Sequence, residues 1–119
     1  LYPASGVDPL GENMVNVPLP PYSDGAALRG AVTREWLPAL ERFRPQLIVI
    51  SAGFDAHRDD DMSQLLWTEA DYAWITQQLV DVAQRHCHGR IVSTLEGGYD
   101  LPSLARSVLA HVKVLGNFD

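Results

Sequence analysis

The run Gln46-Leu47-Ile48-Val49-Ile50-Ser51 is apolar at successive positions, not at alternate ones. A strand that is apolar on both faces belongs inside a sheet covered on both sides, which is the habit of parallel sheets. Parallel neighbours cannot be joined by a hairpin, so the chain must cross over between them, usually through a helix. The flanking sequence supplies such crossovers. Upstream, Ser23 or Asp24 can cap a helix in which Ala27, Leu28, Ala31, Val32, Trp36 and Leu40 recur at helical spacing until Arg44-Pro45 ends it. Pro38 falls within that stretch and should kink or tighten it, because its ring blocks one backbone hydrogen bond. Downstream, Thr68-Glu69-Ala70-Asp71 fits a capping box and opens a helix to about Arg85 with an apolar face of Tyr72, Ile75, Leu79 and Val82. Arg90 to Leu95 reads as a further strand running into Gly97-Gly98. Asp100 then caps a last helix whose inward face would be Leu104, Val108, Val112 and Leu115. Near the start, Met14-Val15-Asn16-Val17 reads as a short strand ended by Pro18 and Pro20-Pro21. The expected class is α/β in the order βαβαβα: part of a three-layer αβα domain with a parallel sheet, with about three strands and three helices.

Composition limits what such a chain can do. Its 119 residues allow one core but are few for a parallel sheet buried on both faces. A net charge of −6 without a basic run gives no electrostatic footprint for nucleic acid or an anionic membrane, so neither is expected as a partner. The longest purely apolar run, Leu47 to Ile50, is too short to cross a bilayer. The single cysteine, Cys87, cannot form an internal disulfide, which suits a reducing compartment and makes the cytoplasm the expected location. Leu1-Tyr2-Pro3-Ala4-Ser5-Gly6 reads like the middle of a loop, so the chain is expected to be cut from a longer one.

Ligands of open parallel sheets gather at the carboxyl ends of the strands. Two segments stand there: Ser51-Ala52-Gly53-Phe54-Asp55-Ala56-His57-Arg58-Asp59-Asp60 and Leu95-Glu96-Gly97-Gly98-Tyr99-Asp100-Leu101. A strand-end carboxylate such as Asp55 can ligate a cation such as zinc, and a phenol delivered by a double-glycine turn, here Tyr99, can donate a hydrogen bond to a developing oxyanion. Spacing alone leaves two plainer roles open, a capping or loop carboxylate for Asp55 and a packing tyrosine for Tyr99. His86-Cys87-His88 follows the last turn of a helix and is expected to be capping or surface. His111 lies off the expected inward face of the last helix and is expected to be solvated, and Asp59-Asp60-Asp61 is expected to be a solvated loop edge.

Together these segments resemble the class II branch of the histone deacetylase superfamily, the bacterial and acetylpolyamine amidohydrolase-like members above all. The resemblance also takes in Tyr2-Pro3-x-x-Gly6, Asn16-Val17-Pro18-Leu19-Pro20, and Leu37-Pro38-Ala39-Leu40 through Arg44-Pro45, in the family's order and spacing, and so covers essentially the whole chain. It implies that residues 1–119 are the C-terminal portion of one deacetylase catalytic domain, with a zinc ion (Zn2+) at the strand ends. There a zinc-held water attacks an acetamide carbonyl, a histidine pair handles protons and a tyrosine stabilises the oxyanion. The resemblance further implies that Asp55 is a metal ligand, that Tyr99 is the oxyanion donor, and that Gly97 and Gly98 bring backbone close to the substrate tunnel. It makes Tyr2 and Met62 tunnel-lining positions. His57 mimics the Asp-x-His spacing of the family's other zinc motif but sits on a different strand, and is expected not to bind metal.

The implied substrates are acetylated lysine or acetylated small amines such as polyamines. The histidine pair and the Asp-x-His ligands are absent upstream of Asp55, so the 119 residues alone are expected to be inactive, to hold zinc poorly, and to self-associate or swap through unpaired strand edges. The family usually has Pro at the place of Asp61, Asn at the place of Asp100, and Pro-Gly-Thr-Gly in place of Pro3-Ala4-Ser5-Gly6, departures that touch loop geometry and remove no catalytic atom. A different class of function, a non-catalytic α/β binding or regulatory module, would keep the fold but has no chemical reason to keep Asp55 and Tyr99. An arginase-like two-metal hydrolase would need a carboxylate cluster after the second strand, which the sequence lacks.

Overall fold

Three helical runs and two strands succeed one another through residues 11–119, the part of the chain described by the computed structural model. Tyr2 and the Tyr2-Pro3-x-x-Gly6 motif lie outside the described residues. The first helical run comprises α1 (Gly25–Ala31), a π-helical turn (Val32–Trp36) and α2 (Leu37–Phe43). Asp24 caps it, its side chain accepting the Ala27 amide at 3.1 Å. The expected disturbance around Pro38 is this π turn. The Leu37 N–H reaches back to the Val32 carbonyl, and the widened turn gives room for a ring that would crowd a regular helix. Arg44, left-handed at φ 54°, ends the run ahead of Pro45.

Strand β1 (Ile48–Ala52) pairs in parallel with β2 (Ile91–Leu95), Ile48 standing opposite Ile91 and Ala52 opposite Leu95. Between them runs α3 (Glu69–His86), opened by the expected capping box of Thr68 and Asp71. After β2 comes α4 (Leu101–Gly116), capped by Asp100, whose carboxylate accepts the Ser103 amide at 3.1 Å. The inner face of β1 buries Ile48 against Val82, Ala83 and Cys87 of α3 and its C-cap, with Leu37 and Leu40 of α2 at the margin. A second cluster of Ala52, Phe54, Ala56 and Tyr72 takes in Leu104 and Val108 of α4. The Phe54 and Tyr72 rings lie 5.0 Å apart between centroids.

Several expectations need correction. Met14 to Val17 is not a strand: a strand needs a neighbour for its backbone groups, and none lies alongside it among the described residues. The described sheet therefore has two strands. It carries helices on one face, and the other face presents Val49 and Val92, paired in register and 63% and 55% exposed. The described residues thus supply part of a parallel α/β domain, with one of its helical layers.

Helix α4 is turned from its expected orientation. Its buried residues are Ser103, Ser107 and His111, while Val112 is exposed. Small side chains let α4 come close to α3, and the larger apolar residues flank that seam. His111 is consequently buried, not solvated. Its Nδ1 lies 2.7 Å from Thr76 Oγ1 and its Nε2 lies 2.8 Å from Ser93 Oγ. Thr76 already donates its hydroxyl proton to the Tyr72 carbonyl at 2.6 Å, so it accepts from Nδ1–H, and Nε2 accepts from Ser93. One neutral imidazole therefore joins β2, α3 and α4.

Burial holds the His111 imidazole below its ordinary pKa of 6.5. The unfolded chain then takes up the proton first. The contribution of His111 is complete above about pH 6.5 and diminishes as pH falls toward the lowered native value. Urea unfolding midpoints measured between pH 7.5 and 5 should decline across that window, and His111→Leu should remove part of the slope. His111→Ala, which strands two hydroxyls beside a cavity, should cost about 2–4 kcal/mol at pH 7.5.

Candidate functional site

Past the strand ends the two chains stay together. The Glu96 amide donates to the Ala52 carbonyl and the Phe54 amide to the Gly97 carbonyl, both at 2.9 Å, so Gly53 to Asp55 runs beside Glu96 to Gly98. The Asp55 carboxyl occupies the space left by two missing side chains. A Cβ on Gly97 would stand 2.9 Å from Asp55 Oδ2, and one on Gly53 would stand 3.1 Å from Oδ1. The Asp55 carbonyl accepts the Ser63 hydroxyl at 2.6 Å, which ties the following loop back to the strand end. Burial pushes the Tyr72 phenol well above its ordinary pKa, and the Asp55 charge adds to that rise.

Gly98 is fixed for two reasons. Its φ of 136° is one that side-chain-bearing residues rarely adopt, and a Cβ there would meet Leu104 Cδ1 at 2.6 Å and Phe54 Cβ at 3.3 Å. The turn then delivers Tyr99 with its side chain out: the residue is 61% exposed, which does not suit a packing tyrosine. Met62 is likewise exposed. Asp55, Gly97 and Gly98 are thus brought together with Tyr99 next in the chain, while Met62 joins the group only through backbone contacts.

Those contacts converge on Asp60, which is expected from sequence at a solvated loop edge. Asp59 and Asp61 are exposed as expected, but Asp60 is 5% exposed. Its Oδ2 accepts the amides of Tyr99 at 2.7 Å and Asp100 at 3.1 Å, and its Oδ1 accepts the amide of Met62 at 3.0 Å. Burial opposes its ionisation, yet the three amides, aided by His57, outweigh burial and hold the carboxyl below its ordinary value. Nothing in a run of three aspartates singles out the middle one; only the closeness of the second loop does.

His57 is buried, and its Nδ1 accepts the Asp59 amide at 3.1 Å. That leaves the proton on Nε2, 3.3 Å from Glu69 Oε1. Arg106 of α4 donates to the same Glu69 oxygen and, with the first amide of α3 and His57, holds the Glu69 carboxyl down to about 2 against the opposing effect of burial. In the His86-Cys87-His88 run, His86 contacts Glu41 at 2.6 Å. Cys87 is the C-cap of α3, the capping role expected of this run, and is buried there with its thiol donating to the Pro45 carbonyl.

Asp55 is an oxygen donor of the type zinc accepts. Among the described residues, no three His, Cys, Asp or Glu side chains converge on one point. No described helix is long and apolar enough to cross a membrane.

Gly98→Ala should destabilise the protein by about 2–3 kcal/mol through backbone strain and overpacking against Leu104, read as a lowered melting temperature. Gly97→Ala, whose Cβ meets a movable carboxyl group and not backbone, should melt closer to the wild type while displacing Asp55.

Comparison with known proteins covers nearly the whole chain. A family described as the histone deacetylase domain matches residues 1–115. Type-2 histone deacetylase 1 of Dictyostelium discoideum is 41% identical over 107 residues, which are 90% of this chain and 7% of that protein. The histone deacetylase-like amidohydrolase of Pseudomonas aeruginosa is 42% identical over 100 residues, 80% of this chain and 26% of that protein. Among solved structures, the HDA15 HD domain superposes with a TM-score of 0.80 at 37% identity, covering 87% of this chain and 29% of that one. The histone deacetylase Clr3 gives 0.81 at 35% identity, covering 88% of this chain and 17% of that one. The chain spans less than a third of each of these proteins. Two parallel strands, a double-glycine turn beside a strand-end aspartate, and a family match running from residue 1 to residue 115 place this chain in the histone deacetylase domain family.

Proposed function

We propose that these 119 residues are the C-terminal portion of a zinc-dependent deacetylase domain, contributing Asp55 as one metal ligand and Tyr99 as the oxyanion donor. The observation that carries this reading is the seating of the Asp55 carboxyl between Gly53 and Gly97, one turn from an outward-facing tyrosine. A carboxylate at a strand end is the ligand such a site needs from this part of the sheet, and the remaining ligands and the proton-handling histidines belong to segments beyond these residues. Tyr99 would donate its phenolic hydrogen to the oxygen that gains charge as an acetamide carbonyl becomes tetrahedral. A donor aimed at developing charge lowers the barrier more than it tightens ground-state binding. Gly97 and Gly98 would let the backbone approach the acyl chain, with Met62 and Tyr2 along its path.

The substrate class is an acetylated lysine side chain or an acetylated small amine. The 119 residues by themselves would neither hydrolyse it nor hold zinc usefully. Separated from the rest of the domain, the uncovered strand face around Val49 and Val92 would favour self-association. The expected location is the cytoplasm.

In the whole protein, Tyr99→Phe should lower kcat on an acetyl-lysine peptide by about 10²–10³-fold with little change in KM or zinc content. Asp55→Ala should abolish both turnover and stoichiometric zinc, measured by metal analysis after dialysis. Full activity in Tyr99→Phe would remove the oxyanion assignment and retained zinc in Asp55→Ala the ligand assignment, whereas a whole wild-type protein without turnover would leave a non-catalytic module as the better description.

A further inference from the structure

We infer that Asp60 is a positioning residue for the reaction, tying the loop that carries Asp55 to the turn that carries Tyr99 and so fixing the phenol relative to the carboxylate. The inference rests on the function proposed above for those two residues. Tyr99 is 61% exposed, so among the described residues little ring packing restrains it, and its aim depends on where its backbone is held. The Tyr99 amide donates to Asp60 Oδ2 at 2.7 Å, and the next amide in the chain donates to the same oxygen. The other oxygen holds the amide of Met62, in Asp60's own loop.

The loop end of this tether is itself anchored. The Asp60 amide donates to the His57 carbonyl at 2.9 Å, the His57 ring faces Glu69 at the start of α3, and Glu69 is paired with Arg106 of α4. The tether is thus a single buried carboxylate with three donors, spanning 39 residues of sequence between loop and turn.

The chemistry of the contact is specific. Both oxygens act only as acceptors. An asparagine would have to point its NH2 group either at the Met62 amide or at the pair from Tyr99 and Asp100, setting donor against donor. Loss of the tether would leave the fold's two hydrophobic clusters intact while freeing the turn that aims the phenol. A displacement of about 1 Å at a reacting group is enough to slow a reaction by roughly 10²-fold.

The test uses the whole zinc-loaded protein and an acetyl-lysine peptide. Asp60→Asn should lower kcat by about 30- to 100-fold with KM changed less than about threefold. Placed on Tyr99→Phe it should cost less than about twofold more, because the group it positions is gone. Amide hydrogen exchange in the peptide spanning Gly97 to Leu101 should quicken in Asp60→Asn and not in Tyr99→Phe. If Asp60→Asn fails to fold, Asp60→Glu, which keeps both acceptors on a longer arm, carries the same comparisons with a smaller loss. Unchanged exchange, or an equal kcat loss with and without the Tyr99 hydroxyl, overturns the inference. A wild-type protein without turnover overturns the proposed reaction instead, and the exchange comparison still decides whether Asp60 holds the turn.

Discussion

Everything at the candidate site depends on two strands lying parallel in one register. Pairing of Ile48 with Ile91 through Ala52 with Leu95 continues past the strands in the amides of Glu96 and Phe54. That continuation brings a loop after one strand against a turn after the other, although more than forty residues separate them. A register shift would turn the inward residues of β1 outward and take Gly97 away from Asp55 together. The crossover helix α3 makes the register affordable: its Val82 and Ala83 bury Ile48, and its capped start near Thr68 sits beside the loop that returns from Asp55.

Local signals were legible in the sequence where they are short and chemical. The capping box at Thr68, the cap at Asp100, the stop at Arg44-Pro45 and the double glycine before Tyr99 depend on a few neighbouring residues, and the structure has each of them. The alternation of a doubly apolar strand with amphipathic crossover helices carried the α/β class, and the family resemblance agreed with it. What stayed hidden was set by partners distant in sequence. Met14 to Val17 has the composition of a strand, but pairing is a property of two segments. The spacing of Leu104, Val108, Val112 and Leu115 predicts one inward face for α4, whereas its orientation follows from how closely Ser103 and Ser107 allow α3 to approach.

His111 and Asp60 illustrate the same limit. Each is a polar residue whose burial is compensated largely by groups far along the chain: Thr76 and Ser93 for the imidazole, the amides of Tyr99 and Asp100 for one oxygen of the carboxylate, whose other oxygen takes the nearby Met62 amide. A one-dimensional reading places such residues in solvent because most of the groups that pair with them lie far away in sequence. Compensation of this kind is also demanding, since removing either partner leaves a buried group without its hydrogen bond.

The π turn at Val32–Trp36 makes the first helical run a rod with two phases. Up to its first residue, Leu28, Ala31 and Val32 face Trp67 and Ile75; after it, Leu37 and Leu40 face the cluster around Ile48. The extra residue acts as a phase shifter, rotating the second half by about 100° relative to a regular continuation. A deletion of one residue there would crowd the Pro38 ring and give a poorer fit, because the two halves could no longer serve both surfaces. Length in this segment is therefore under a tighter constraint than composition.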